Sequence, residues 1–78
     1  MTLIVVLSEL SKARRFVADG KKCMVRQRRI IDKLEQQGYD TLDAILFLEY
    51  LEGVQEQYVA HRNRLEQQVL VLVRPDED

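Results

Sequence analysis

The sequence predicts an all-α fold, a two-helix antiparallel hairpin that dimerises into a four-helix bundle. Two long segments carry apolar residues at alternating spacings of three and four, which is the period of one helix face. A single interior stretch of turn-forming composition, residues 37–41, separates them. A link this short makes the second helix run antiparallel to the first. With 78 residues, we expect one domain over residues 1–74 and an acidic tail at 75–78.

The first predicted helix, from about residue 3 to residue 37, has a broad apolar face. Its main stripe runs through Leu3, Val6, Leu10, Ala13, Val17, Gly20, Met24, Gln27, Ile31 and Leu34. Phe16, Cys23 and Ile30 form an adjacent row at a spacing of seven residues. The combined stripe is wider than a two-stranded coiled-coil seam and is typical of a helix that contacts two neighbours, as in a four-helix bundle.

The second predicted helix, from about residue 41 to residue 72, repeats this period. Its stripe runs through Phe47, Leu51, Val54, Tyr58, His61, Leu65, Val69 and Leu72. Ile45, Leu48 and Val59 widen the stripe. The other positions are rich in Glu, Gln and Arg, which favour helix and suit a solvated face.

The predicted turn, residues 38–40, has the chemistry of a helix end followed by a helix start. Gly38 occupies the C′ position, because glycine adopts the left-handed conformation at no steric cost. Tyr39 and Leu34 would then be the C″ and C3 residues of a Schellman ending. Asp40 can cap the second helix by accepting a hydrogen bond from its first turn, and Asp43 adds negative charge near that helix N-terminus.

The two ends of the chain leave a choice between helix and strand. Residues 3–7 and 69–73 are rich in β-branched residues, and a hairpin brings them to the same open end, where they could pair as a two-stranded ribbon. We favour helical continuation for most of both ends, with Ser8 as an alternative N-cap for a helix that starts near Glu9. Pro75 marks a stop before the acidic tail.

Composition excludes several sources of stability and several classes of partner. One Cys cannot form an internal disulfide, and one Cys with one His falls short of a zinc ligand set, so association is the remaining support for a small core. A net charge of −1 provides no global attraction for nucleic acid or anionic lipid. The longest apolar runs, five residues each, are too short to span a bilayer. We expect no membrane association and a cytoplasmic location.

The width of the two stripes predicts a homodimer. A single hairpin buries one seam and leaves the flanking apolar rows exposed to solvent. Contiguous apolar patches of this kind on a protein surface usually mark an interface. Two hairpins packed with two-fold symmetry would bury both stripes. The predicted dimer interface comprises Phe16, Cys23, Ile30, Phe47, Leu51, Val54 and Tyr58. The competing interpretation is a hairpin that docks on a groove or helix of another protein.

The residues whose side chains could act in catalysis or bind a metal do not form a recognisable site. His61 has no companion ligand one helical turn away, so we interpret it as a boundary histidine on the stripe. Cys23 is interpreted as a small buried hydrophobe. Glu49, Glu52 and Glu56 share one helix face, but no Glu-x-x-His pattern accompanies them. We therefore predict no catalytic residues, no metal ligands and no cofactor, and a chain that is not an enzyme.

Charge is unevenly distributed along the chain. Residues 12–33 hold nine basic residues and two acids, whereas residues 40–56 hold five acids and no base. Folding back at Gly38 places Arg26, Arg28 and Arg29 alongside the region of Glu49 and Glu52. Opposite charges on neighbouring helices are thus expected to pair, with about 0–1 kcal/mol for each exposed pair.

Near the open end of the hairpin, basic residues outnumber acids. Only Glu9 and Glu66 lie near this cluster, which comprises Lys12, Arg14, Arg15, Arg62 and Arg64. Such a cluster can attract phosphate groups, and the alternative function is a small regulatory protein that contacts nucleic acid non-specifically. No helix-turn-helix pattern and no stacking aromatic residues accompany the cluster. The leading hypothesis is therefore a non-enzymatic, self-associating interaction or scaffold module.

Residues 13–65 resemble short, uncharacterised bacterial helical-hairpin proteins. The resemblance is carried by Arg26-Gln27-Arg28 in a basic first helix and by the turn sequence Gly38-Tyr39-Asp40-Thr41. It is also carried by His61-Arg62-Asn63-Arg64-Leu65 near the end of the second helix. The resemblance implies a helical hairpin and transfers no activity and no functional residues.

Overall fold

The protein is an antiparallel pair of long helices in a computed structural model that describes residues 2–73. Helix α1 spans Leu3–Gln36 and helix α2 spans Leu42–Leu72, so each junction with the turn lies one residue from its predicted place. The two helices pack along their length into a rod of 66 × 17 × 15 Å. The predicted acidic tail at 75–78 and the stop at Pro75 lie outside the described residues.

The apolar ends of the chain continue the helices, so the alternative of a two-stranded ribbon is wrong. Residues 3–7 and 69–72 are helical, and residues 2–73 contain no strand. Val6 is fully buried in a cluster with Leu10, Ala13 and Leu65. Helical packing of this kind outweighs the β preference of branched side chains, which is itself largely a preference for a packed surface.

Helix α1 begins at a threonine cap rather than at the alternative cap Ser8. The Thr2 Oγ1 atom accepts a hydrogen bond from the Val5 amide at 3.3 Å, which satisfies one of the free N–H groups of the first turn. The start at Leu3 gives α1 the extra turn that brings Val6 into the core. The sequence-based alternative near Glu9 is therefore wrong.

The turn has the predicted Schellman geometry. Gly38 adopts φ 77°, the left-handed conformation expected at C′. The Tyr39 amide donates to the Leu34 carbonyl at 2.9 Å, and the Gly38 amide donates to the Glu35 carbonyl at 3.1 Å. Asp40 accepts a hydrogen bond from the first turn of α2 as predicted, since its Oδ1 accepts from the Leu42 amide at 3.0 Å. The N-cap position itself is Thr41, whose side chain makes no capping bond. These local bonds fix the chain reversal and hence the antiparallel pairing.

The seam between the helices follows the predicted stripe on α1. On α2, the buried stripe is rotated around the helix axis relative to the predicted one. Every residue of the predicted α1 stripe is buried or half-buried. On α2, Phe47, His61 and Leu72 are exposed, contrary to their predicted places on the stripe. The observed α2 seam comprises Ala44, Leu48, Leu51, Gln55, Tyr58, Arg62, Leu65 and Val69.

The rotation of α2 has a physical cause in two polar residues. Gln55 and Arg62 occupy seam positions that an apolar pattern would not assign to them. The Gln55 amide reaches a backbone carbonyl of α1, and the Arg62 guanidinium lies near the carboxylate of Glu66. Because their polar ends find partners, both side chains can turn inward. Within residues 2–73, neither helix has a stretch apolar enough to cross a membrane.

Candidate self-association interface

The seven residues predicted as the dimer interface mark one side of the helix pair, here called the groove face. Two of them, Leu51 and Tyr58, also belong to the seam. Five of them surround a groove of about 270 Å³ between the helices. These five are Phe16, Cys23, Leu51, Val54 and Tyr58. Ile30 and Phe47 do not line this groove and lie closer to the turn along the two helices. Asp19, Gly20, Tyr50 and Gln55 complete the lining.

Aromatic rings form an exposed part of the groove face. The ring of Phe16 stacks on Tyr58 with centroids 5.4 Å apart, and Phe47 stacks on Tyr50 at 6.1 Å. Phe16 remains 51% exposed and Phe47 remains 49% exposed. Each pair therefore joins residues of this face into a surface that presents aromatic area to solvent, which is costly unless another surface covers it.

Cys23 and His61 do not occupy the places that the sequence predicted. Cys23 is exposed, so its interpretation as a buried hydrophobe is wrong for the single hairpin. Its row at a spacing of seven lies beside the seam and not in it. His61 is also exposed, because Arg62 takes the adjacent seam position. No group of three or more His, Cys, Asp or Glu residues within 2–73 is placed to hold a metal ion.

The floor of the groove contains a buried glutamine that sequence reasoning missed. Gln55 is 8% exposed, and its Nε2 donates to the Val17 carbonyl of α1 at 2.9 Å. Its Oε1 is buried and has no hydrogen-bond partner among the described residues. The amide lies against Gly20, where a Cβ atom would overlap Oε1. Gly20 is thus the gap in α1 that admits the Gln55 side chain.

A second glutamine makes the reciprocal contact nearer the turn. Gln27 of α1 is buried, and its Nε2 donates to the Ala44 carbonyl of α2 at 2.9 Å. Each helix therefore sends one amide to the main chain of the other. The signal for Gln27 was its place on the predicted α1 stripe, whereas Gln55 lay one position off the predicted α2 stripe.

The opposite side of the seam, here called the charged face, joins the helices through ion pairs. Arg28 and Glu52 approach to 3.7 Å, as the charge pattern predicted for this region. Arg14 and Glu66 approach to 3.1 Å nearer the open end. All four side chains are well exposed, so each pair contributes little to stability. The two faces of the hairpin consequently differ in chemistry, one being aromatic and aliphatic and the other ionic.

In the open-end basic cluster, more of the basic side chains are paired with acids than the sequence predicted. The basic side chains also do not all lie on one surface. Glu66 pairs with Arg14 and lies 3.9 Å from Arg62, and Glu9 pairs with Lys12 at 3.4 Å. Arg62 also donates to the Asn63 side-chain oxygen. Lys12 and Arg14 point in nearly opposite directions, about 160° apart around α1, since each residue advances about 100°.

The two remaining members of the cluster, Arg15 and Arg64, are exposed and have no ion pair within residues 2–73.

Exposed basic side chains also lie on the outer surface of α1. A shallow groove there is lined by Lys21, Lys22, Val25, Arg26 and Arg29. Arg26 and Arg29 thus line this outer groove, whereas Arg28 pairs with Glu52 of α2.

Comparison of the chain with family models, with curated proteins and with solved structures finds no match. The resemblance to bacterial helical-hairpin proteins therefore stays an expectation.

Proposed function

We propose that this protein is a non-enzymatic module that self-associates through its groove face and serves as a small scaffold. The observation that carries the proposal is the exposed aromatic and aliphatic surface around the groove, on the face opposite the interhelical ion pairs. A second copy of the chain presents the same surface and can cover it. Face-to-face packing of two hairpins would give a four-helix bundle with two-fold symmetry.

The small core of the single hairpin supports this proposal. Only six apolar side chains are buried within residues 2–73, and four of them form one cluster at the open end. A domain of this size buries a modest share of its surface and commonly needs an additional support. Burial of the groove face in a dimer would supply that support at about 25 cal/mol for each Å² of apolar surface removed from water.

A matched pair of variants tests the proposal. Ile30 on the groove face is 42% exposed, and Val25 on the outer surface of the same helix is 44% exposed. Because the two side chains are nearly equally exposed in one hairpin, Ile30→Glu and Val25→Glu should perturb a monomer to a similar extent. Only Ile30→Glu should bury a charge in the proposed dimer.

The measurement is sedimentation equilibrium of the wild-type chain and both variants over a wide range of concentration. We expect a dimer for wild type and Val25→Glu, and a monomer for Ile30→Glu. A wild-type chain that stays monomeric throughout would refute self-association. Equal behaviour of the two variants would place the interface elsewhere on the hairpin.

The second candidate function is contact with nucleic acid, and the outer groove of α1 is the observation that favours it. Its exposed Lys and Arg side chains have the chemistry of a non-specific phosphate contact. Retardation of a random DNA duplex at low and at moderate salt would test it, with Arg26→Glu, Arg29→Glu as the loss-of-binding variant. Arg15→Glu, Arg64→Glu would test the two unpaired members of the open-end cluster in the same assay.

A further inference from the structure

We propose that the two hairpins pack with their turns at opposite ends of the bundle, about a two-fold axis level with Cys23 and Val54. This inference rests on the proposed self-association through the groove face and specifies its geometry. In this arrangement each helix lies beside its own copy and runs antiparallel to it. The alternative places both turns at the same end, so that α1 lies beside the partner's α2.

Two rows of polar residues border the groove and would meet across such an interface. Asp19 and Tyr50 line the groove, which places their sides of α1 and α2 at its rim. Residues at a spacing of seven share a side when the seam follows the alternation of three and four. The α1 rim row is Lys12, Asp19, Arg26 and Lys33, and the α2 rim row is Asp43, Tyr50, Gln57 and Arg64. Arg26 lies between the two surfaces of α1, since it also lines the outer groove.

Charge along these rows is complementary when the turns lie at opposite ends. An axis level with Cys23 sets Asp19 opposite the partner's Arg26. The same axis, level with Val54 on α2, sets Asp43 opposite the partner's Arg64. Symmetry makes every pair occur twice, so two kinds of attractive pair stand against one like-charged pair, Lys12 with the partner's Lys33. That repulsive pair lies as far from the axis as the pair of Asp43 with the partner's Arg64.

The same-end arrangement is less complementary. The stack of Phe16 on Tyr58 and the contact of Gln55 with Gly20 show which residues of α1 and α2 lie at equal height. At that register Lys12 would lie opposite the partner's Arg64, which is repulsive, and Lys33 opposite the partner's Asp43, which is attractive. Asp19 would face an uncharged Gln57. Attraction and repulsion then cancel, so charge favours opposite ends.

The residues at the proposed axis suit a position where a side chain meets its own copy. A charged residue there would face an identical charge. Cys23 and Val54 are small and uncharged, and both line the groove. The larger apolar residues flank them symmetrically, since Phe16 would lie opposite the partner's Ile30 at a spacing of seven residues from Cys23 on either side.

The distance between the two turns distinguishes the arrangements. A spin label at Gln36→Cys, in a Cys23→Ala background, lies 13 residues from the axis along α1, and the helix rises about 1.5 Å per residue. Opposite-end packing therefore predicts a label separation of about 40 Å by double electron–electron resonance, and same-end packing predicts less than about 30 Å. The shorter distance would overturn this inference and leave self-association intact. A labelled chain that shows no dipolar coupling between molecules and is monomeric by sedimentation would refute self-association itself.

The natural cysteine provides an independent readout. Treatment with diamide, which takes up two electrons and two protons as two thiols form a disulfide, should join the dimer through Cys23 of both protomers. The control is Lys22→Cys in a Cys23→Ala background, where the thiol lies outside the groove lining on an exposed part of the same helix. We expect fast crosslinking only for the wild-type chain. Equal rates in a chain that sedimentation shows to be dimeric would contradict an axis at Cys23.

A charge exchange tests the proposed contact between the rim rows. Asp19→Arg should weaken the dimer by up to about tenfold, because it replaces two attractive pairs by two repulsive ones at an exposed rim. Adding Arg26→Asp in the same chain should restore affinity, because the pair is then merely reversed. In same-end packing these residues do not meet, and the second substitution would restore nothing.

Discussion

The two halves of the helix–helix seam are built from different chemistry. At the open end, Val6, Leu10, Ala13 and Leu65 form a continuous aliphatic cluster. Toward the turn, the seam instead contains Gln27 and Gln55, each of which donates to the backbone of the opposite helix. The aliphatic half gains stability from burial, whereas the amide half gains a defined register, because each amide reaches only one carbonyl.

This division explains why the groove face lies where it does. Where glutamines occupy the seam, the larger apolar and aromatic side chains of both helices stand beside it and not within it. Phe16 and Val54 therefore border a groove instead of filling a core. Apolar side chains are also exposed at the open end, where Ile4 is 80% exposed and Val71 is 71% exposed, but there they surround a buried aliphatic cluster and not buried amides.

The largest expected effect comes from breaking the aliphatic half. Leu10 is 4% exposed, and Leu10→Ala should lower the free energy of unfolding by about 2–4 kcal/mol, since it removes buried methyl groups and leaves a cavity. Urea denaturation at one fixed protein concentration measures the change. Leu46→Ala is the control, because Leu46 is 52% exposed and its truncation should cost well under 1 kcal/mol. Equal losses would mean that the open-end cluster is not the principal core.

An intermediate effect is expected in the amide half, at Gly20. Gly20→Ala forces the Gln55 amide to move, and the lost hydrogen bond with a displaced buried amide should cost about 1–2 kcal/mol after the gain in helix propensity. Gly53→Ala is the matched control: nothing lies within 4 Å of its added Cβ, so it should stabilise the protein by up to about 1 kcal/mol.

A double substitution tests whether the loss of stability in Gly20→Ala arises from its overlap with the Gln55 side chain. Gly20→Ala combined with Gln55→Ala should cost less than the sum of the two single changes, because the overlapping group is gone. Strict additivity in thermal and urea unfolding would show that the two positions do not interact.

The smallest effect is expected on the charged face. Removing the Arg14–Glu66 pair with Arg14→Ala should change the free energy of unfolding by about 0–1 kcal/mol and by less in 1 M salt. Chemical denaturation at low and high ionic strength provides the measurement, with Arg15→Ala as the control. A loss above 2 kcal/mol that survives high salt would contradict the division between the two faces.

The turn and helix α1 could be predicted in detail because their determinants are local. Gly38, Leu34 and Asp40 act through bonds between near neighbours in sequence, and the α1 stripe contains one polar member, Gln27. Helix α2 was predicted with the wrong rotation because Gln55 and Arg62 turn inward only when a carbonyl of α1 or a nearby carboxylate is available. The apolar pattern of α2 alone does not reveal that Gln55 is buried, because its hydrogen-bond acceptor lies on α1, nor that Arg62 pairs with Glu66 one turn along its own helix.

The sequence predicted which residues lie on one face better than it predicted which residues are buried. Phe16 and Cys23 line the same groove as expected, because residues seven apart stay on one side of a helix. Cys23 and His61 are exposed because a row flanking the seam is not itself the seam. The width of the apolar stripe thus predicted which residues share one face, but not which of them a single hairpin buries.

The fit of Gln55 into the gap at Gly20 has a consequence for how this sequence can vary. Position 20 accepts a larger residue only when position 55 holds a shorter one. The residue types at the two positions should therefore vary together, although 35 positions separate them in the sequence. A library randomised at both sites and selected for folding should therefore return glycine with glutamine, or a larger residue with a smaller one, and rarely two large residues together.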